Sequence, residues 1–271
     1  MRAQLTARVT AQLTALAALV VAQAVLAQQA PRDATSPAGS GGASNPALVG
    51  TVPEGPPPKL PDGTPDLSGV WVGSGPIGDI SMGVVPGDEV VLLPAAKAVM
   101  AARMAADDPE ARCLPTGVPR IAPYPWRIAQ VPAFGKATHL FFLYEGNIHS
   151  FRQIFMDGRE HPDDLEASWY GHSVGHWEGN TLVIETVGFN DLFWFDFVGH
   201  PHTTQLRTVE RYTRTKMSEL EVVTTIYDAG AYAKPFTVKY THTLRPGWEL
   251  MEYICNENNQ DVEHIRGPAG L

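Results

Sequence analysis

From Ala137 onward, runs rich in β-branched and aromatic residues alternate with turn signals. This is the pattern of antiparallel strands. Residues 139–144 precede Glu145-Gly146-Asn147, and residues 149–156 precede Asp157-Gly158. Residues 172–177 and 181–187 flank Gly179-Asn180, a two-residue hairpin turn. Residues 205–214, 220–227, 236–244 and 249–255 follow, with Pro246-Gly247 between the last two. With a first strand at Val70, the pattern predicts about nine strands. A meander of that length favours an antiparallel up-and-down barrel, because closure removes exposed edges.

Period-2 alternation supports a barrel with a semi-polar interior. One face of residues 221–227 carries Val222, Thr224 and Ile226. One face of residues 237–242 carries Val238, Tyr240 and His242. A cavity-bearing barrel needs such mixed faces, whereas a solid sandwich core is more uniformly aliphatic.

Upstream, residues 94–107 are rich in Ala, Met and Lys and open with Pro94, which predicts one covering helix. Residues 112–132 carry five prolines from Pro115 to Pro132 and read as an irregular arm. Residues 28–64 are Pro, Gly, Ser and Ala with few large apolar side chains, which predicts a disordered tether. The single barrel domain is expected over 65–271. At the N-terminus, Arg2 and Arg8 precede an apolar run over 13–26, and Val25-Leu26-Ala27 suits cleavage. Residues 1–27 therefore read as a secretory signal peptide, the run being short for a membrane span.

Two resemblances rest on particular residues. Asp66-Leu67-Ser68-Gly69-Val70-Trp71 resembles the Gly-x-Trp opening of lipocalin-like (calycin) barrels, which implies that Trp71 plugs one end. A second set comprises Asp157-Gly158-Arg159, GHSVGHWEGNTLVIETVGFND from Gly171, Gly199-His200-Pro201-His202, Glu210-Arg211 and Cys255-Asn256-Glu257-Asn258. Over residues 65–264 it resembles a group of exported bacterial proteins without an established activity. That resemblance implies export and a shared folding unit, and no mechanism.

Charge narrows the partners. The chain has 20 basic and 29 acidic residues, a formal net charge of −9. Removing residues 1–27 takes two arginines and no acid, leaving 18 against 29, or −11. With no basic block, nucleic acid is a poor partner, and so is a membrane once the signal is removed. The expected location is periplasmic or secreted. There, Cys113 and Cys255 are expected to close one long-loop disulfide, the alternative being two separate buried thiols.

The candidate chemistry lies in four places. His172 and His176 share one face of a strand but lie roughly 13 Å apart, too far to hold one metal. If that face lines the cavity, they are acid–base candidates; otherwise they are a solvated face. His200-Pro201-His202 is extended before its proline, so its two rings lie about 6.6 Å apart on one side. That spacing suits a divalent metal, with His161 or His172 and Asp196 as further ligands, or a loop with polar tips. Residues 191–197 place Asp196 among Trp194, Phe195 and Phe197. They read as a pocket wall with a partly desolvated carboxylate, or as an aromatic loop over one barrel end. Finally, Arg159 and His161 open a loop reaching Trp169 and Tyr170, long enough to cross a barrel mouth. Nucleotide loops, a Gly-x-Ser-x-Gly elbow and a His-Glu-x-x-His motif are absent from the sequence.

These readings favour cofactor-free acid–base chemistry, of lyase, hydratase or isomerase type, on a small apolar or aromatic molecule. His172, His176 and Asp196 are the expected catalytic residues. Trp169, Tyr170, Trp194, Phe197 and Arg159 are the expected substrate contacts. The alternatives are a small-molecule carrier without turnover, and a metal-dependent enzyme using His200 and His202.

Overall fold

The computed structural model describes residues 54–270 apart from 74, 77, 122, 134, 135, 147–149, 258 and 261. All of these fall in the unit Gly41–Leu271. The expected signal peptide and residues 28–53 of the expected tether lie outside the described residues. Residues 54–64 are tied to the fold: Met217 N–H donates to Gly55 O at 2.9 Å, and Asp66 N–H donates to Pro58 O at 3.0 Å.

The fold is mainly β, a closed barrel of nine strands. They are β1 (Val70–Gly73), β2 (Trp126–Ala133), β3 (Lys136–Tyr144), β4 (Ser150–Phe155) and β5 (His172–Glu178), then β6 (Thr181–Val187), β7 (Arg207–Lys216), β8 (Glu219–Tyr227) and β9 (Phe236–Leu244). Each strand pairs with the next, and β1 closes on β9 through Trp71 opposite Leu244. One junction differs from the expected up-and-down pattern. β4 and β5 are parallel and meet only at Ile154 opposite Ser173 and Phe155 opposite Val174. A parallel neighbour requires the chain to cross back over a dozen residues or more, and the 156–171 connection is long enough to do so.

Two segments exchange roles relative to the sequence reading. Residues 126–132, expected to be irregular, fall in β2, and Pro132 sits where the register with β3 shifts. A missing N–H is tolerated at such an irregularity. Residues 249–255, expected to be a strand, are not one, because β1 and β9 already close the sheet and leave no edge to extend.

The helix is shorter than expected. α1 (Pro94–Ala102) ends at Arg103, which turns extended at ψ 136°. The Arg103 guanidinium donates to Gly199 O at 2.9 Å and lies 4.5 Å from the Trp194 ring centre. Those contacts outweigh the helix preference of the following alanines, which enter a short 3-10 turn, Ala105–Asp107.

Two apolar clusters fill the fold. One gathers Trp71, Trp126, Phe142, Leu182 and Leu220. The other gathers Phe189, Phe193, Phe195, Tyr232 and Phe236. Trp71 is fully buried, donates from Nε1 to Leu67 O at 2.9 Å, and has the Arg214 guanidinium 5.0 Å from its ring centre.

Cys113 and Cys255 form a disulfide with a Cα separation of 5.5 Å across 142 residues of chain. It fastens the C-terminal segment to the proline-rich arm. Loop-closure entropy sets its stabilisation at roughly 5 kcal/mol. Cys113→Ser with Cys255→Ser should lower the urea midpoint by a corresponding amount. Free thiols detected by alkylation of the unreduced protein would contradict the bond.

Candidate functional site

The inward side chains follow the strand period. On β7 they are Thr208, Glu210, Tyr212 and Arg214; on β8, Leu220, Val222, Thr224 and Ile226; on β9, Val238, Tyr240 and His242. The mixed faces expected of β8 and β9 therefore point into the barrel. Glu210 and Arg211 face opposite sides, as neighbours on a strand must. Glu210 is inside, while Arg211 lies outside and donates to Glu178 Oε2 at 2.7 Å.

The inward arginine is Arg152 on β4. It is 2 % exposed and pairs with Glu210, 1 % exposed. Its Nε donates to Ser173 Oγ at 2.9 Å, and its Nη2 donates to Thr186 Oγ1 at 2.5 Å and to Glu210 Oε2. Tyr212 donates its hydroxyl proton to Glu210 Oε1 at 2.7 Å. Burial alone pulls the guanidinium pKa down, but the neighbouring carboxylate more than offsets this and the pKa is raised. The guanidinium is therefore charged.

Beside this network lies a cavity of about 20 Å³, room for about one water-sized molecule. Val118, Pro119 and Ile121 from the proline-rich arm form part of its wall. Arg120 of the same segment is buried against Asp108 and Glu110, at 2.7 and 2.5 Å. The cavity also meets Trp126, Thr224, Tyr240 and His242. Trp126 Nε1, Thr224 Oγ1, Tyr240 OH and both His242 ring nitrogens are buried without a hydrogen-bond partner among the described residues. Buried polar groups are otherwise nearly always paired, and each unmade bond costs about 1–3 kcal/mol. Burial lowers the His242 pKa to about 4, so its ring is neutral at pH 7.

A second polar centre sits in the aromatic loop after β6. Asp196 is fully buried and accepts from Ile80 N–H at 2.7 Å and His200 N–H at 2.9 Å. His200 Nδ1 lies 2.5 Å from Asp196 Oδ2 and 3.9 Å from Asp79 Oδ1. This contact orients the imidazole. Tyr240 connects the two centres: burial raises its pKa first, and the Asp196 and Asp79 charges raise it further.

Several expected site residues lie elsewhere. His172 and His176 are on the outer face of β5, because Ser173 and Gly175 take the inner positions. A Cβ on Gly175 would lie 2.7 Å from Met156 Sδ and 2.9 Å from Ile154 Cγ2, so a larger residue there would have to displace those side chains. His172 Nδ1 meets His161 Nδ1 at 2.8 Å, and His176 is 63 % exposed beside Glu178. Neither lines the cavity. His200 and His202 do not share a metal point: His202 is wedged between Phe193 and Phe195, with ring centres 3.8 and 5.1 Å away. Arg159 is exposed and paired with Asp157 at 2.5 Å. Trp194 is buried beneath Arg103, and Phe197 is 40 % exposed beneath the Arg120 guanidinium. The aromatic loop is thus packed into the second core cluster over one barrel end. Trp169 and Tyr170 are half-buried beside that cluster.

Arg152, Trp126 and the Glu210–Tyr212 contact were missing from the expected site. Alternation along 150–155 could have shown Arg152 sharing a face with Ile154. The residues define a class: a closed β-barrel with a capped, polar-lined interior. No known protein family, curated protein or solved structure matches the chain.

Two expectations follow. His202, like His242, has its pKa lowered to about 4 by burial. Below pH 6.5 the unfolded chain binds more protons than the folded one at these rings. Their stabilisation is therefore full above pH 6.5 and is lost as pH falls through about 4, up to about 3 kcal/mol each. Urea midpoints between pH 7 and pH 4 should fall accordingly, and His242→Phe should remove its share of the slope. For the ion pair, Arg152→Met alone should cost about 3–5 kcal/mol by stranding Glu210. Arg152→Met with Glu210→Leu should recover most of that, measured by the same denaturation.

Proposed function

We propose that the protein is an exported carrier that holds a small neutral molecule, with both donor and acceptor groups, inside its barrel. The observation that carries this reading is the set of unpaired buried polar atoms around one cavity, on Trp126, Thr224, Tyr240 and His242. A neutral His242 and a Tyr240 with a raised pKa both favour an uncharged guest. A guest larger than water requires the Val118–Pro119–Ile121 wall to yield. That wall belongs to the arm, not to a strand. The disulfide suits an oxidising compartment, periplasmic or extracellular. Among the described residues no helix is long and apolar enough to cross a membrane.

A panel of small alcohols, amides and ketones tests this by thermal shift. At least one member should raise the melting temperature of the native chain and leave Thr224→Val with His242→Phe unmoved. If none does, and the double variant is more stable with no other change, the polar lining does not serve a guest.

The Asp196–His200 contact favours a second reading, acid–base chemistry with His200 as base and Asp196 as its positioning residue. The carboxylate holds Nδ1, so Nε2 is the nitrogen left to exchange a proton. Product detection by mass spectrometry after incubation with small aromatic hydroxy and carbonyl compounds tests it. Turnover should disappear in His200→Gln and fall strongly in Asp196→Asn. A divalent metal on Asp79, Asp196 and His200 is less suited, although their ligand atoms lie within 4.8 Å of one another. Two ligands at about 2.1 Å from one ion and at right angles stand about 3.0 Å apart, and the Asp196–His200 contact is 2.5 Å.

A further inference from the structure

On the outer wall of the barrel, a cleft of about 340 Å³ lies where β4 and β5 share only two register positions. That volume is at the lower end of the range for small-molecule sites. Side chains alternate along a strand, so Arg152 and Ser173 turn inward while Phe151, Phe155 and His172 turn outward. The outward three line the cleft together with Trp169 and Tyr170. Phe155 is already covered: the His172 ring stacks 5.0 Å from it, and the Arg159 guanidinium lies 3.9 Å from its ring centre. Phe151 is 58 % exposed, an unusual position for a large apolar ring unless something covers it.

The polar group of the cleft is His172, and its neighbours set which nitrogen carries the proton. Its Nδ1 lies 2.8 Å from His161 Nδ1, so one of the two must donate and the other accept. His161 Nε2 is buried without a hydrogen bond among the described residues, and Glu185 Oε1 stands 3.7 Å from it. Arg207 holds that carboxylate from its other oxygen at 2.8 Å. The nearby negative charge favours the His161 proton on Nε2, which leaves His161 Nδ1 as the acceptor. His172 Nδ1 is then the donor, and His172 Nε2 carries no proton. A bare imidazole nitrogen in an aromatic cleft calls for an aromatic ligand that donates.

The charges around the pair keep His172 neutral. Burial lowers its pKa first, and the His161 and Arg159 charges lower it further. Asp157 pairs with Arg159 on the crossing segment, Glu185 and Arg207 stand behind His161, and His139 of β3 meets Phe155 at 5.4 Å. At pH 7 the Nε2 lone pair is therefore available.

We propose that the outer cleft between β4 and β5 binds a small phenol, with its ring against Phe151 and its hydroxyl donating to His172 Nε2. This site is separate from the barrel cavity proposed above, and either can fail without the other.

Phenol is the probe, with anisole as its counterpart lacking the donor. Titration calorimetry at pH 7.5 should show phenol binding about threefold to tenfold more tightly, the effect of one neutral hydrogen bond. The preference should shrink as pH falls below the ordinary histidine value of about 6.5, when His172 Nε2 takes up a proton and can no longer accept. His172→Phe keeps the ring on Phe155 and should bind the two compounds equally. Phe151→Ser should weaken both alike, with an unchanged melting temperature. Nitrogen-resolved NMR of the native chain needs no variant: it should show His172 protonated at Nδ1 and bare at Nε2, with phenol shifting the Nε2 signal. Equal binding of phenol and anisole at pH 7.5, or a proton on Nε2, would overturn the proposal. So would shifts confined to Trp126 and His242, which would put the probe in the barrel cavity instead.

Discussion

Arg152 and Glu210 stand 58 residues apart in sequence and meet inside the barrel, each almost wholly removed from solvent. Neither charge is tolerable there alone, and the cost of burying them is offset only if their remaining hydrogen-bonding groups are also met. That requirement accounts for Ser173 and Thr186 on the guanidinium and Tyr212 on the carboxylate. It also links β4 to β7 from within, around the stretch where β4 and β5 share few backbone bonds. The inner face of β5 is small and polar for the same reason: Ser173 serves Arg152, and Gly175 makes room for Ile154 and Met156.

The rest of the interior depends on this arrangement. With Glu210 held by Arg152 and Tyr212, polar atoms of Trp126, Thr224, Tyr240 and His242 around the cavity have no partner among the described residues. Glu210 and Tyr212 line the same cavity with their polar groups spent on each other and on Arg152, while their neighbours there keep theirs available. A separate clamp closes the end beneath the aromatic loop. Asp196 ties the 3-10 turn at Ile80 to His200 through two backbone N–H groups and one imidazole. Phe193, Trp194 and Phe195 around it are buried core residues that hold this clamp in place.

Much of the barrel was legible along the chain. Seven expected strands fall on β3 to β9, because alternation and turn residues are local properties that each segment carries by itself. The inward sets Val222, Thr224 and Ile226, and Val238, Tyr240 and His242, were visible as faces. Which face turned inward was not, since a strand has two faces and only its neighbours choose between them. β2 was hidden by Pro125 and Pro132, and residues 249–255 looked like a strand because composition does not reveal that the sheet is already closed.

The sequence by itself determined the strand pattern, the mixed polarity of the β8 and β9 faces, and the two cysteines able to pair. These follow from local backbone preference and side-chain chemistry. Only the tertiary structure decided that His172 and His176 lie outside and that His200 and His202 point to different surroundings. It alone brought Arg152 to Glu210, because partners 58 residues apart are chosen by barrel closure and by the cost of an unpaired buried charge, and neither is written in any one segment.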